Sequence, residues 1–135
     1  MSTTFETNGL HALVPLAATL GIRVVSASAD EVRLELDWRG DLCTAAGVLH
    51  GGALMSLADT GGAVCAVLNL PEGSTGTTTV ESKTNLLAAV RDGTVTAVST
   101  PLKAGKTLIV VETEMRVSDG RLVAKTAQTQ AVLRG

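Results

Sequence analysis

The spacing of apolar and polar positions changes several times along the 135-residue chain. Residues 31–38, EVRLELDW, alternate strictly: Val32, Leu34, Leu36 and Trp38 share one face, Glu31, Arg33, Glu35 and Asp37 the other. That pattern predicts a half-buried strand. It follows a second candidate strand, IRVVSASA, with Ala29-Asp30 as the turn between them. Ahead of both, HALVPLAATL predicts a short helix reaching Gly21, capped by Asn8 and interrupted at Pro15. Residues 39–49 read as loop. From about His50 to Leu68 the period lengthens, and Leu54, Leu57, Ala58, Gly61, Val64, Cys65 and Leu68 recur at helical spacing. The turn-rich NLPEGSTG (69–76) ends that helix. Four further strands follow: TTTVESKTNLLAAV, TVTAVSTPLKAG, KTLIVVETEMRVSDG and RLVAKTAQTQAVL. Hairpin-type signals separate them at Arg91-Asp92-Gly93, Ala104-Gly105 and Asp119-Gly120.

The order is therefore helix, two strands, long helix, four strands. Consecutive hairpins predict an antiparallel sheet, and one long apolar helix needs a sheet face to cover it. The expectation is an α+β fold in a single domain spanning residues 1–135.

Composition narrows the partners. The chain is 45% hydrophobic and 18% charged, enough for a packed core. It has one Phe, one Trp and no Tyr, so core and pocket alike are expected to be aliphatic. A net charge of −2 argues against a nucleic-acid footprint, which would be basic. No run of 18 uncharged apolar residues occurs, so no membrane span is expected. MSTTFETNGL has neither the basic nor the apolar region of a signal peptide. Cys43 and Cys65 read as free thiols. The expected protein is soluble and cytoplasmic, with no nucleic-acid or membrane partner.

Candidate chemistry concentrates in LHGGALMSLADT, residues 49–60. A helix start exposes unpaired N–H groups and a positive dipole end. Gly51 and Gly52 there would let a ligand approach the backbone closely, so that an N–H could hold a developing oxyanion; on spacing alone a tight turn before a helix is the simpler account. Asp59 lies a little over two turns further on. Its neighbours Met55, Ser56, Gly62 and Ala63 are small or apolar, and no Lys or Arg occurs between Arg39 and Lys83. Desolvation would make such a carboxylate a plausible base or nucleophile; the alternative is a solvent-facing flank. His50 reads either as a donor to a substrate carbonyl or as a helix-entry residue bonded to nearby backbone. His11 has no such neighbourhood. No GxSxG, metal motif or phosphate-binding loop is present.

Taken whole, GVLHGGALMSLADTGGAV resembles the signature of hotdog-fold acyl-CoA thioesterases, closest to the PaaI-type and 4-hydroxybenzoyl-CoA thioesterase branch. The resemblance runs through the downstream strands to DGRLVA. It implies the hotdog fold, a long helix wrapped by an antiparallel sheet. It also implies a homodimer with the active site between subunits, assembling to a homotetramer. Asp59 aligns with the family's catalytic carboxylate and Gly51 with the glycine whose N–H polarises the thioester carbonyl. His50 matches the histidine beside it, and Thr79 a Ser/Thr that positions water. Six residues before His50, where the family often carries Asn or Gln, stands Thr44, which offers no amide.

Acyl-CoA hydrolysis is the implied reaction, with no separate cofactor and no metal. Arg91, Lys103 and Lys106 are candidates for the CoA phosphates. Leu54, Met55, Leu57 and Leu86 are candidates for the acyl pocket, with space left by Ala53, Ala58, Gly61, Gly62 and Ala63. A non-catalytic acyl-CoA-binding domain is the alternative. A hotdog dehydratase is disfavoured, because no second suitable histidine is present.

Overall fold

In the computed structural model, which describes residues 5–135, Pro15 splits the N-terminal helix into α1 (Thr7–Leu13) and α2 (Pro15–Leu20). Residues 1–4, part of the segment read for a leader, lie outside the described residues. Proline cannot donate its nitrogen and pushes the preceding residue out of helical geometry, so Val14 is extended at φ −125° and α2 restarts with Pro15 at its first position. Asn8 is not the cap. Glu6 holds the cap position with no side-chain bond, and Asn8 lies inside the first turn. Thr7 instead accepts from the Val24 N–H at 2.9 Å, tying α1 to the sheet. Gly21 closes α2 in the left-handed conformation, φ 74°. His11 is structural, its Nε2 2.6 Å from the Ile22 carbonyl.

The sheet contains β1 (Arg23–Ala27), β2 (Val32–Asp37), β3 (Gly76–Leu86), β4 (Thr94–Ala104), β5 (Leu108–Arg116) and β6 (Leu122–Leu133). The 18-residue helix α3 (Gly51–Leu68) packs across it. Among the described residues the strand order is β1-β2-β4-β5-β6-β3, antiparallel throughout. This is the expected α+β hotdog arrangement. One predicted hairpin fails. β3 does not pair with β4, because β2 and β5 occupy both edges of β4; the segment 87–93 crosses over and β3 joins β6. β3 thereby becomes a sheet edge with one side unpaired.

β2 buries Val32, Leu34 and Leu36 completely. The strand stops at Asp37, so Trp38 leaves the alternating face and its Nε1 donates to the Gly47 carbonyl at 3.0 Å. Leu57, Ala58, Val64 and Cys65 of α3 meet Val95, Ala97, Ile109, Val111 and Met115 in an aliphatic core. Burial pushes the Cys65 thiol up to about 11. Both cysteines are free. By length and hydropathy α3 could cross a bilayer, but 56% of that window is buried, as befits a core helix.

Gly61 and Gly62 leave no room for a ligand. A β-carbon on Gly61 would stand 2.7 Å from Ser99 Oγ, and one on Gly62 would overlap the Gln128 carboxamide. Ala53 and Ala58 are buried as well. These four small residues of α3 admit the sheet, not a substrate, whereas Ala63 is half-buried and lines a groove with Asp59.

Candidate active site

The start of α3 is arranged by His50. Its Nδ1 accepts from the Gly52 N–H at 2.7 Å, and its carbonyl accepts from Ala53 N at 2.9 Å. Accepting through Nδ1 places the ring proton on Nε2 of a neutral imidazole. His50 is thus the helix cap, bonded to nearby backbone, and its Nδ1 has no proton to give a substrate. The Gly51 N–H, left over by this cap, has no acceptor among the described residues. It points out of a dipole end that favours negative charge. A β-carbon at Gly51 would stand 2.5 Å from Leu86 Cδ1 on β3, so any larger residue there has to displace the Leu86 side chain.

The loop ahead of α3 frames this N–H. Thr44 donates its backbone N–H to Val48 at 2.8 Å. Ala46 holds φ 63°, a left-handed conformation that costs a residue with a β-carbon about 1–2 kcal/mol. Arg91 Nη1 reaches the Ala46 carbonyl at 3.3 Å, holding the strained loop from the crossover side. Thr44, Gly51, Leu54 and Leu86 line one groove of about 410 Å³.

Asp59 lies on the exposed flank of α3, where it lines a largely apolar groove with Leu13, Val14, Ala63 and Val67. Two donors converge on its Oδ1: the Thr79 hydroxyl at 3.3 Å and Gln128 Nε2 at 3.3 Å. Thr79 Oγ1 in turn accepts from Gln130 Nε2 at 2.6 Å. Asp59 shares a second groove, also about 410 Å³, with Gly52, Met55, Ser56 and Ser82.

A bulge brings Thr79 into this group. Ser82 pairs with Gln128 and Glu81 with Thr129, but the next pair is Thr79 with Gln130, leaving Val80 as the extra residue. The bulge shifts the helix-facing set on β3 from even to odd numbers, and so turns Thr79 inward. Gln128 and Gln130 were not singled out from the sequence. Their signal was there: Thr126, Gln128 and Gln130 share the inner face of β6, and polar side chains on a buried face require partners.

Of the other expected residues, Met55 is 44% exposed beside Asp59, whereas Leu57 is fully buried core and lines neither groove. Arg91 lies at the Gly51 end of the sheet. Lys103 and Lys106 lie at the opposite end, on the β4–β5 hairpin, where the Lys106 carbonyl accepts from Arg134. The three cations do not form one cluster. Gly51 and Asp59 also remain apart: eight residues at 1.5 Å each separate them by roughly 12 Å along α3.

The model of the thioesterase superfamily matches residues 46–124, from the strained loop to the start of β6. Among solved structures, the thioesterase HI1161 of Haemophilus influenzae is similar with a TM-score of 0.88 and 28% identity, covering 98% of this chain and 93% of that one. The thioesterase PA1618 of Pseudomonas aeruginosa, solved with a glutamine-to-alanine substitution, gives 0.88 and 26% over 97% and 96%. SSO2140 of Saccharolobus solfataricus, named as a candidate esterase, is 33% identical over 85% of this chain and 81% of its own. The chain belongs to the thioesterase superfamily, as a hotdog-fold hydrolase of the thioesterase and esterase kind.

Proposed function

We propose that the protein hydrolyses acyl-CoA thioesters at sites shared between two copies of the chain. The observation that carries this reading is the pairing of an unused N–H at Gly51 with a carboxylate at Asp59 on one flank of α3. A single thioester carbonyl cannot touch both across roughly 12 Å. Two antiparallel copies of α3 related by a two-fold axis can bring them together, because each end of the flank then faces the other end of its partner. The midpoint between Gly51 and Asp59 is Met55.

The unpaired edge of β3 supports the same axis. Thr79 stands beside Asp59, Leu86 beside Gly51, and Ser82 near the midpoint shares a groove with Met55. Pairing β3 with its own copy about Ser82 sets Glu81 opposite the partner's Lys83, twice. The exposed Met55, Leu86 and Leu87 would be covered in that dimer. A homotetramer built from two such dimers is the proposed full assembly, and cytoplasmic location is part of the same reading.

In the shared site the Gly51 N–H holds the carbonyl oxygen as it becomes an oxyanion. Asp59 either takes a proton from the attacking water or attacks the carbonyl itself to give an anhydride, which water then opens. Either route releases the carboxylic acid and CoA thiol. Thr79 holds the carboxylate. Leu54, Leu86 and Thr44 face the acyl group in the first groove, Gly52 and Met55 in the second. Lys103 and Lys106 are the candidate cations for the CoA phosphates, while Arg91 braces the loop that carries Ala46.

Complementation tests the shared site. Asp59→Ala removes the carboxylate, and Gly51→Val drives a side chain into Leu86 beside the N–H. Each homodimer should release no thiol from a panel of acyl-CoA esters. A mixed dimer retains one intact site and should recover up to half of the wild-type activity. No recovery in a purified mixed dimer sinks the shared site, and no thiol release by the wild-type protein from any ester sinks the hydrolase and leaves an acyl-CoA binder.

A further inference from the structure

We propose that Gln128 is a positioning residue for Asp59, and that Gly62 is glycine in order to seat it; this rests on the role given to Asp59 above. The Gln128 side chain is 1% exposed and spans from β6 to α3. A carboxylate only accepts, so the amide nitrogen faces Asp59, and Nε2 donates to Oδ1 at 3.3 Å. That orientation turns Oε1 into the interior, where it is buried and has no hydrogen-bond partner among the described residues.

Such an arrangement is poor for stability. A buried carbonyl without a donor carries a desolvation cost, and an apolar side chain of similar volume would avoid it. The helix makes a second concession at the same point. Gly62 lies three residues beyond Asp59 on α3, and a β-carbon there would overlap the Gln128 carboxamide. Mid-helix glycine is less stable than alanine. Two unfavourable choices, one on each element, meet at a contact whose hydrogen bond leads to Asp59.

The consequence is an asymmetric carboxylate. Gln128 Nε2 and Thr79 Oγ1 both bind Oδ1, and no donor among the described residues reaches Oδ2. Oδ1 is the anchored oxygen, and Oδ2 is the one presented to the thioester or to water.

The test uses the full chain, thiol release from an acyl-CoA ester that the wild type cleaves, and thermal melting. Gln128→Leu fills the seat and removes both the donor and the orphaned carbonyl. It should lower kcat about 10- to 100-fold, the size expected for a lost hydrogen bond to a charged group, leave KM within about twofold, and not lower Tm. Gly62→Ala displaces the carboxamide from the other side and should cause a similar kcat loss. The double variant should lose no more than the worse single one, since both act through one contact. Wild-type kcat in Gln128→Leu overturns the inference, as does a lowered Tm with kcat per folded molecule unchanged, or two losses that multiply in the double variant. If Asp59→Asn keeps full activity, the assigned role of Asp59 fails; if it is inactive while Gln128→Leu is normal, only the positioning role fails.

Discussion

The Thr79 hydroxyl donates to Asp59 Oδ1 at 3.3 Å while accepting from Gln130 Nε2 at 2.6 Å, so the one proton on Thr79 is directed at the carboxylate. Asp59→Asn should lower thiol release by about 10²–10⁴-fold, the range for a lost general base, with fold and assembly unchanged. Thr79→Val, which keeps the shape and removes the proton, should cost about tenfold; Thr79→Ser should restore most of it. Steady-state kinetics with circular dichroism checks both, and a fully active Thr79→Val would remove the hydroxyl from the mechanism.

The proposed β3 pairing makes a charge-swap experiment decisive. Lys83→Glu would oppose two pairs of like charges across the two-fold axis and should weaken the dimer by about 1–2 kcal/mol, or roughly tenfold in Kd. Adding Glu81→Lys should restore it. Sedimentation velocity across a dilution series reads both. If the single and double variants dissociate alike, Ser82 is not the centre of the pairing.

The cations separate by partner. Arg91 holds the Ala46 carbonyl at 3.3 Å, so Arg91→Ala should impair CoA esters and short N-acetylcysteamine thioesters alike. Lys103→Ala with Lys106→Ala should raise KM for the CoA ester alone, because the short ester has no phosphates to lose. Equal effects of the lysine pair on both esters exclude these residues from CoA binding.

Stability should fall at acid pH through Asp37. The Arg23 guanidinium, and after it the Thr94 hydroxyl, hold the Asp37 carboxyl down to about 2. Unfolded aspartate titrates near 3.9. A folded value below the unfolded one contributes stability above about pH 4 that is lost between about pH 4 and pH 2. The Asp37 side chain is 50% exposed, so its contribution is about 0.2–1 kcal/mol. Urea unfolding of Asp37→Asn should show a flatter dependence across that window; a slope identical to wild type would exclude the pair as a source.

Much of the fold was legible because it is local. The alternation of 31–38 and the helical spacing of 50–68 each specify a buried face without reference to the rest of the chain. Pro15 split the N-terminal helix as its chemistry requires. The fate of β3 was not legible: its turn signal resembled that of a true hairpin, and only occupation of both edges of β4 by β2 and β5 sends it to β6. Asp59 and Gly51 stood out in the sequence because they lie in one short motif. Gln128 and Gln130, from 69 and 71 positions further along, did not.

The amino-acid sequence by itself determined which segments are helix and strand, the aliphatic core, and the motif that pairs a glycine helix start with a carboxylate, since all of these follow from periodicity and residue chemistry within a few turns. Only the tertiary structure decided what surrounds that carboxylate. A single bulge at Val80 rotates Thr79 toward α3, and the long-range pairing of β3 with β6 sets two buried amides behind it. Hydrogen bonds between distant segments depend on register, and register exists only once the strands have met.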